Sequence, residues 1–156
     1  MARVGLAHWF FGNLYEAVVR VPDRLATEHD HHPERGGAGL FASGSPVRYY
    51  VPAAQITGAA VALTAVRGWP EPGNRPALAV AASSSAVGAA LTVVLVRTVI
   101  VRLLTPGPPL GDVERRRLLL RWHRLNAARL VLGAAASVAL GCVTADRAEQ
   151  SVHDAR

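Results

Sequence analysis

The chain has 156 residues, 51% of them hydrophobic and only 18% charged, with a formal net charge of +6. Soluble domains carry about 25% charged residues, and the apolar residues here gather into long blocks, which points to a single domain, 1–156, of the integral membrane class. The one cysteine, Cys142, excludes an intrachain disulfide framework, a C-x-x-C redox pair and a zinc knuckle.

The basic excess is entirely arginine, 17 residues with no lysine. Together with heavy use of Ala, Gly, Val and Pro, this reads as a GC-rich coding bias. The arginines fall mostly between the apolar blocks and no aromatic–basic face accompanies them, so nucleic acid is not an expected partner.

The first apolar block, "VGLAHWFFGNLYEAVV", predicts a helix over about 4–20. Asn13 and Glu16 interrupt its apolar run, and no small-x-small cleavage site precedes the charged segment at Arg20. It therefore reads as a retained helix rather than a signal peptide.

A polar loop is expected over 21–50, bracketed by Pro22, Pro46 and Pro52. Its run "EHDHHPER" places His29, His31 and His32 among carboxylates. Imidazole and carboxylate groups suit zinc, copper or iron, but the run lacks the fixed scaffold a site needs. It reads as a solvated loop, with no metal expected. "GSPVRYYVP", with Arg48, Tyr49 and Tyr50, reads as an interfacial anchor ahead of the next span.

The second and third helices are predicted over 51–69 and 76–104, joined by the breaker-rich "GWPEPGNRP". "TPGPPLGD" ends the third. "DVERRRLLL" starts the fourth, about 117–145, with acidic residues in its first turn. A spanning helix needs about 20 residues; blocks three and four reach that length and the first two are marginal. The expected fold is all-α, an integral membrane four-helix bundle.

The loops over 21–50 and 105–117, with their flanks, hold nine arginines, against five in the tails and the second loop. The positive-inside rule then puts these loops in the cytoplasm and both termini outside, in what we expect to be a bacterial inner membrane. Small residues at four-residue spacing (Ala54, Gly58 and Ala62; Ser84, Gly88 and Thr92; Gly133, Ser137 and Gly141) suit close helix–helix approach in lipid.

In the fourth helix Trp122, Asn126, Arg129, Gly133 and Ser137 share one stripe. In the first, His8, Gly12 and Glu16 form another, with Asn13 beside it. At 1.5 Å per residue, Glu16, Asn13 and His8 lie about 6, 10 and 18 Å from one boundary, and Trp122, Asn126 and Arg129 about 6, 12 and 16 Å. Gln55 enters near the level of Glu16, and Arg97 lies about 10 Å from the end of its helix. Lipid cannot hydrogen-bond such groups, so they are expected to meet in the interior. Two readings stay open. One is a structural ion pair and amide contact. The other is a polar pocket in which His8 or Glu16 acts as general base while Asn and Arg groups stabilise an anion.

"LLLRWHRLNAARLVLGAAA", with its W-x3-N-x2-R core at Trp122, Asn126 and Arg129, resembles the last helix of the anthrone-oxygenase-like family of small four-helix membrane proteins. The resemblance implies a cofactor-independent oxygenase of secondary metabolism, acting on an aromatic, polyketide-type or other lipophilic small molecule. Trp122 would stack on its rings, and Asn126 and Arg129 would hold the developing phenolate. Asn13, Gln55 and Arg97 are further candidates to line the pocket. The base comes from geometry rather than from the family: His8 or Glu16. No cofactor is called for. The alternative is a non-enzymatic membrane protein whose polar cluster serves assembly or partner binding, with membrane lipid around it. A transporter subunit would require a homo-oligomer, since four short helices without a broken one make no pathway.

Overall fold

A computed structural model describes residues 1–31, 46–105 and 107–154, and side-chain environments within 1–27, 55–105 and 107–143. Among the described residues the chain is all-helical, with no strand. Helix α1 spans Ala2–Val18, α2 Val21–His31 and α3 Pro46–Gly68. A 3-10 turn at Pro72–Asn74 leads into α4, Arg75–Leu95. This helix continues through a π-helical stretch, Val96–Ile100, into the short α5, Val101–Leu104. The last helix, α6, runs over Asp112–Asp154.

Breakers set these boundaries. Prolines crowd the α3–α4 connection, and Pro76 stands in the first turn of α4, where a missing N–H costs nothing. There Arg75 Nε donates to the Trp69 carbonyl at 3.0 Å and Asn74 Nδ2 to Glu71 Oε2 at 3.2 Å. Asp112 and Glu114 occupy the first turn of α6 and complement its dipole. At 43 residues, about 65 Å, α6 is longer than the expected 117–145. Its ends carry helix-forming Arg, Glu, Gln and Ala beyond the apolar stretch.

The expected loop over 21–50 begins instead with a helix. Pro22 and Asp23 favour a helical first turn, and Pro22, Leu25 and Ala26 form an i, i+3, i+4 apolar edge. Pro22 and Ala26 are buried, and Ala26 joins Leu103 and Leu118 in one core cluster. The corner between α1 and α2 is Arg20, whose φ of 51° lies in the left-handed region. Its carbonyl accepts from the Asp23 and Arg24 amides.

Helix α1 packs on α3, α3 on α4, α4 on α6, and α6 back on α1, while α2 sits on α5 and α6. The order is antiparallel. Ala2 and Leu6 share a cluster with Val61, Leu78 and Ala139, whereas Leu95, Val99, Leu118 and Trp122 share the other. One apolar cluster thus lies at each end of α1. Buried positions through the π stretch fall at steps of four, Leu95, Val99 and Leu103. The wider turn keeps these residues on the core face.

Two stretches, Pro72–Leu104 and Asp112–Val143, are long and apolar enough to cross a membrane. The 17 residues of α1 make about 26 Å, short of a 30 Å hydrocarbon core.

Candidate functional site

Between the two apolar clusters lies a buried polar layer shared by α1 and α6. Asn13 and Asn126 are each 1% exposed and Arg129 4%. The stripe expected on α6 is present as a buried face: Trp122, Asn126, Arg129 and Gly133 are buried, and Ser137 is half-buried with its hydroxyl bonded to the Gly133 carbonyl at 2.8 Å.

One hydrogen bond of the layer crosses from α6 to α1, flanked by one within each helix. Asn126 Nδ2 donates to the Asn13 carbonyl at 3.1 Å, and Asn13 Nδ2 donates to the Trp9 carbonyl at 2.8 Å. The Arg129 guanidinium donates to Asn126 Oδ1 at 3.5 Å and lies 5.8 Å from the Trp9 ring centroid, within cation–π range. Glu16, half-buried on α1, feels the Arg129 charge.

Trp9 is the residue that sequence reasoning missed. Its indole lies in a slot between two glycines. A Cβ added at Gly88 would stand 2.5 Å from Trp9 Cη2, and one at Gly133 would stand 3.2 Å from Trp9 Cζ3. The signal was there to read: Trp9-x3-Asn13 on α1 repeats the spacing of Trp122-x3-Asn126 on α6. Ala2, Leu6, Trp9 and Asn13 also continue one helical face.

That face corrects the expected stripe on the first helix. Asn13 is at its centre, Glu16 and Gly12 are half-buried at its flanks, and His8 is exposed, one residue and about 100° off the Trp9 row. Gln55 and Arg97 are also exposed and stay outside the layer. Gln55 lies two residues from buried Thr57, and Arg97 falls in the π stretch two residues from buried Val99. On α3 the close-approach face is likewise rotated. Gly58 and Ala62 are exposed, while Thr57 and Val61 are buried and Thr57 meets Gly5 of α1. The face expected on α4 is as read: Ser84 and Gly88 are buried, and Thr92 Oγ1 bonds the Gly88 carbonyl at 2.9 Å.

Trp122 is 1% exposed but belongs to the apolar cluster below the layer, with the His123 ring edge-on at 5.1 Å. His123 Nε2 lies 3.8 Å from Asp23 Oδ2, tying α6 to α2. Two further contacts hold this end: Arg115 donates to Thr27 Oγ1 at 2.8 Å, and Arg102 pairs with Glu114 at 2.9 Å. The side chains of His29, His31, Arg48, Tyr49 and Tyr50, and the whole of His32, lie outside the described residues. Among those described, no cluster of His, Cys, Asp and Glu could hold a metal ion.

Chemically, the layer brings together a guanidinium and two amides, one amide bonded to the guanidinium and both donating to α1 backbone carbonyls, while the buried Arg129 Nε has no hydrogen-bond acceptor among the described residues. Compared with protein-family models, with curated proteins and with solved structures, the chain finds no match in any of the three.

Proposed function

We propose that this is a small integral membrane protein, a four-helix bundle of α1, α3, the α4–α5 rod and α6. Its polar layer fastens α1 to α6 and serves assembly rather than catalysis. The observation that carries this reading is the chain of bonds from Arg129 through Asn126 and Asn13 to the Trp9 carbonyl. The amides are engaged with protein groups, and the Trp9 indole occupies the slot between Gly88 and Gly133. In lipid, small residues and interhelical hydrogen bonds do the work that the hydrophobic effect does in water.

The two stretches of spanning length support the membrane setting. Helix α2 and the α5–α6 connection lie at one end of the packing, the end richest in arginine. This supports loops 21–50 and 105–117 on the cytoplasmic side of a bacterial inner membrane, with both termini outside. Exposed Phe11 and Tyr15 on the outer face of α1 would then meet lipid or a second copy of the chain.

A second reading, the cofactor-independent oxygenase implied by the anthrone-oxygenase resemblance, draws on one feature: half-buried Glu16 on α1 lies within electrostatic reach of buried Arg129 on α6. That is the pairing a general base and an anion binder require.

Thermal unfolding of the detergent-solubilised protein, together with mass spectrometry of copurifying small molecules, separates the two. On the assembly reading, Asn126→Ala destabilises by about 1–3 kcal/mol, the cost of stranding its buried partners. Only phospholipid then copurifies with wild type and with Arg129→Ala alike. An aromatic compound bound to wild type and lost in Arg129→Ala would sink that reading, make the layer a ligand pocket and name its substrate class.

A further inference from the structure

The first four turns of α6 have two faces. One packs on α2 and α5 through Leu118, Trp122 and the Arg115–Thr27 bond. The other borders a cleft of about 810 Å³ whose described lining includes Arg116, Arg117, Arg121 and Arg124 together with Leu120 and Leu125. These positions recur at i, i+4 and i+8 in two adjacent rows, so they form one stripe along the helix. From Arg116 to Arg124 the stripe rises about 12 Å.

Its chemistry is that of an amphiphile's partner. Guanidinium forks match phosphate oxygens bidentately and are less strongly hydrated than ammonium groups. Leu120, 51% exposed, supplies aliphatic surface between them. The only carboxylate in the described lining is Asp112, at the first turn, one helical turn before Arg116. All four arginines are exposed, whereas neighbouring Arg102 and Arg115 are engaged with Glu114 and Thr27. The stripe also leads directly into the apolar part of α6, where Val131 and Val138 are exposed.

We propose that this cleft binds an anionic phospholipid, with its phosphodiester on the Arg116/Arg117/Arg121/Arg124 stripe and the upper part of an acyl chain along Leu120 and Leu125. A basic segment beside a spanning helix attracts anionic headgroups by long-range charge. The stripe adds short-range recognition through its guanidinium forks. The proposal rests on the membrane setting and is independent of the role of the buried layer.

The test is native mass spectrometry of the full chain in detergent, titrated with phosphatidylglycerol, phosphatidylcholine or inorganic phosphate. Phosphatidylglycerol should bind at least tenfold more tightly than phosphatidylcholine. Arg117→Gln/Arg121→Gln/Arg124→Gln should abolish that preference, while the control Arg3→Gln/Arg67→Gln keeps it. Phosphate alone should not compete at millimolar concentration, because the acyl chain contributes. Equal binding of the two lipids overturns the proposal, as does a preference that survives the triple change or is competed away by phosphate. Carbonate extraction of native membranes checks the setting separately. A chain released by carbonate overturns the membrane reading, whereas a chain retained without lipid preference overturns only the cleft.

Discussion

Trp9 packs where two backbones come closest, and it has no room to retreat. A Cβ at Gly88 would stand 2.5 Å from its ring and one at Gly133 3.2 Å. A methyl group at Gly88 would overlap the ring, so Gly88→Ala should destabilise by about 1–3 kcal/mol, the usual cost of overpacking. At Gly133 the contact is looser by 0.7 Å, and Gly133→Ala should cost less. Trp9→Ala should cost more than either, about 3–5 kcal/mol. In a Trp9→Leu background the Gly88→Ala penalty should largely vanish, and a double-mutant cycle in detergent would measure the coupling. Equal penalties in both backgrounds would mean that Trp9 is not what Gly88 accommodates. At this scale the sequence was half legible. The spacing of Trp122, Asn126 and Arg129 announced the α6 face because polar residues in an apolar run stand out. Trp9 looked like any aromatic in a hydrophobic block, and its importance comes from two glycines on other helices.

The turn from α1 into α2 is an element made by one residue in an unusual backbone state. Arg20 at φ 51° carries the left-handed penalty of an L-residue, about 1–2 kcal/mol. Glycine adopts that state freely, though it gives back about 0.5–1 kcal/mol in chain entropy. A β-branched residue suffers most. Melting temperatures should therefore rank Arg20→Gly at or above wild type and Arg20→Val clearly below. A Val variant as stable as the parent would mean the corner is not left-handed. Helix α2 itself was hard to read. Its 11 residues are too few for an isolated helix to be stable in water, and its charges resemble those of a loop. What makes it helical is the surface offered by Leu103, Leu104 and Leu118, residues more than seventy positions away in the chain. The four apolar blocks, by contrast, gave their helices directly, because burying backbone away from water leaves few alternatives.

Across the whole molecule, reasoning by depth brought the right helices level, whereas reasoning by azimuth held for the α4 and α6 faces and failed on α1 and α3. Rise per residue correctly set Asn13 against Asn126. It could not say which way around its own axis each helix is turned, so His8, Gln55 and Arg97 were assigned to an interior they do not face. The rotation is decided by packing of small against large residues, as at Gly5 against Thr57 and Gly88 against Trp9.

The buried Arg129 has a consequence for the order in which the chain is built. An arginine near the middle of a lone helix resists transfer into a bilayer by at least about 2.5–3.5 kcal/mol. The groups that receive it, the Trp9 ring and the Asn126–Asn13 bridge, involve α1, which is synthesised first. In the membrane setting proposed above, α6 would leave the ribosome to find its acceptor already waiting, and the early helix would act as an internal chaperone for the late one. A translocon insertion assay can see this. α6 should insert less efficiently when residues 1–20 are replaced by a plain leucine helix, and Arg129→Leu should restore it. Unchanged insertion after the replacement would show that α6 enters on its own hydrophobicity and meets α1 only afterwards.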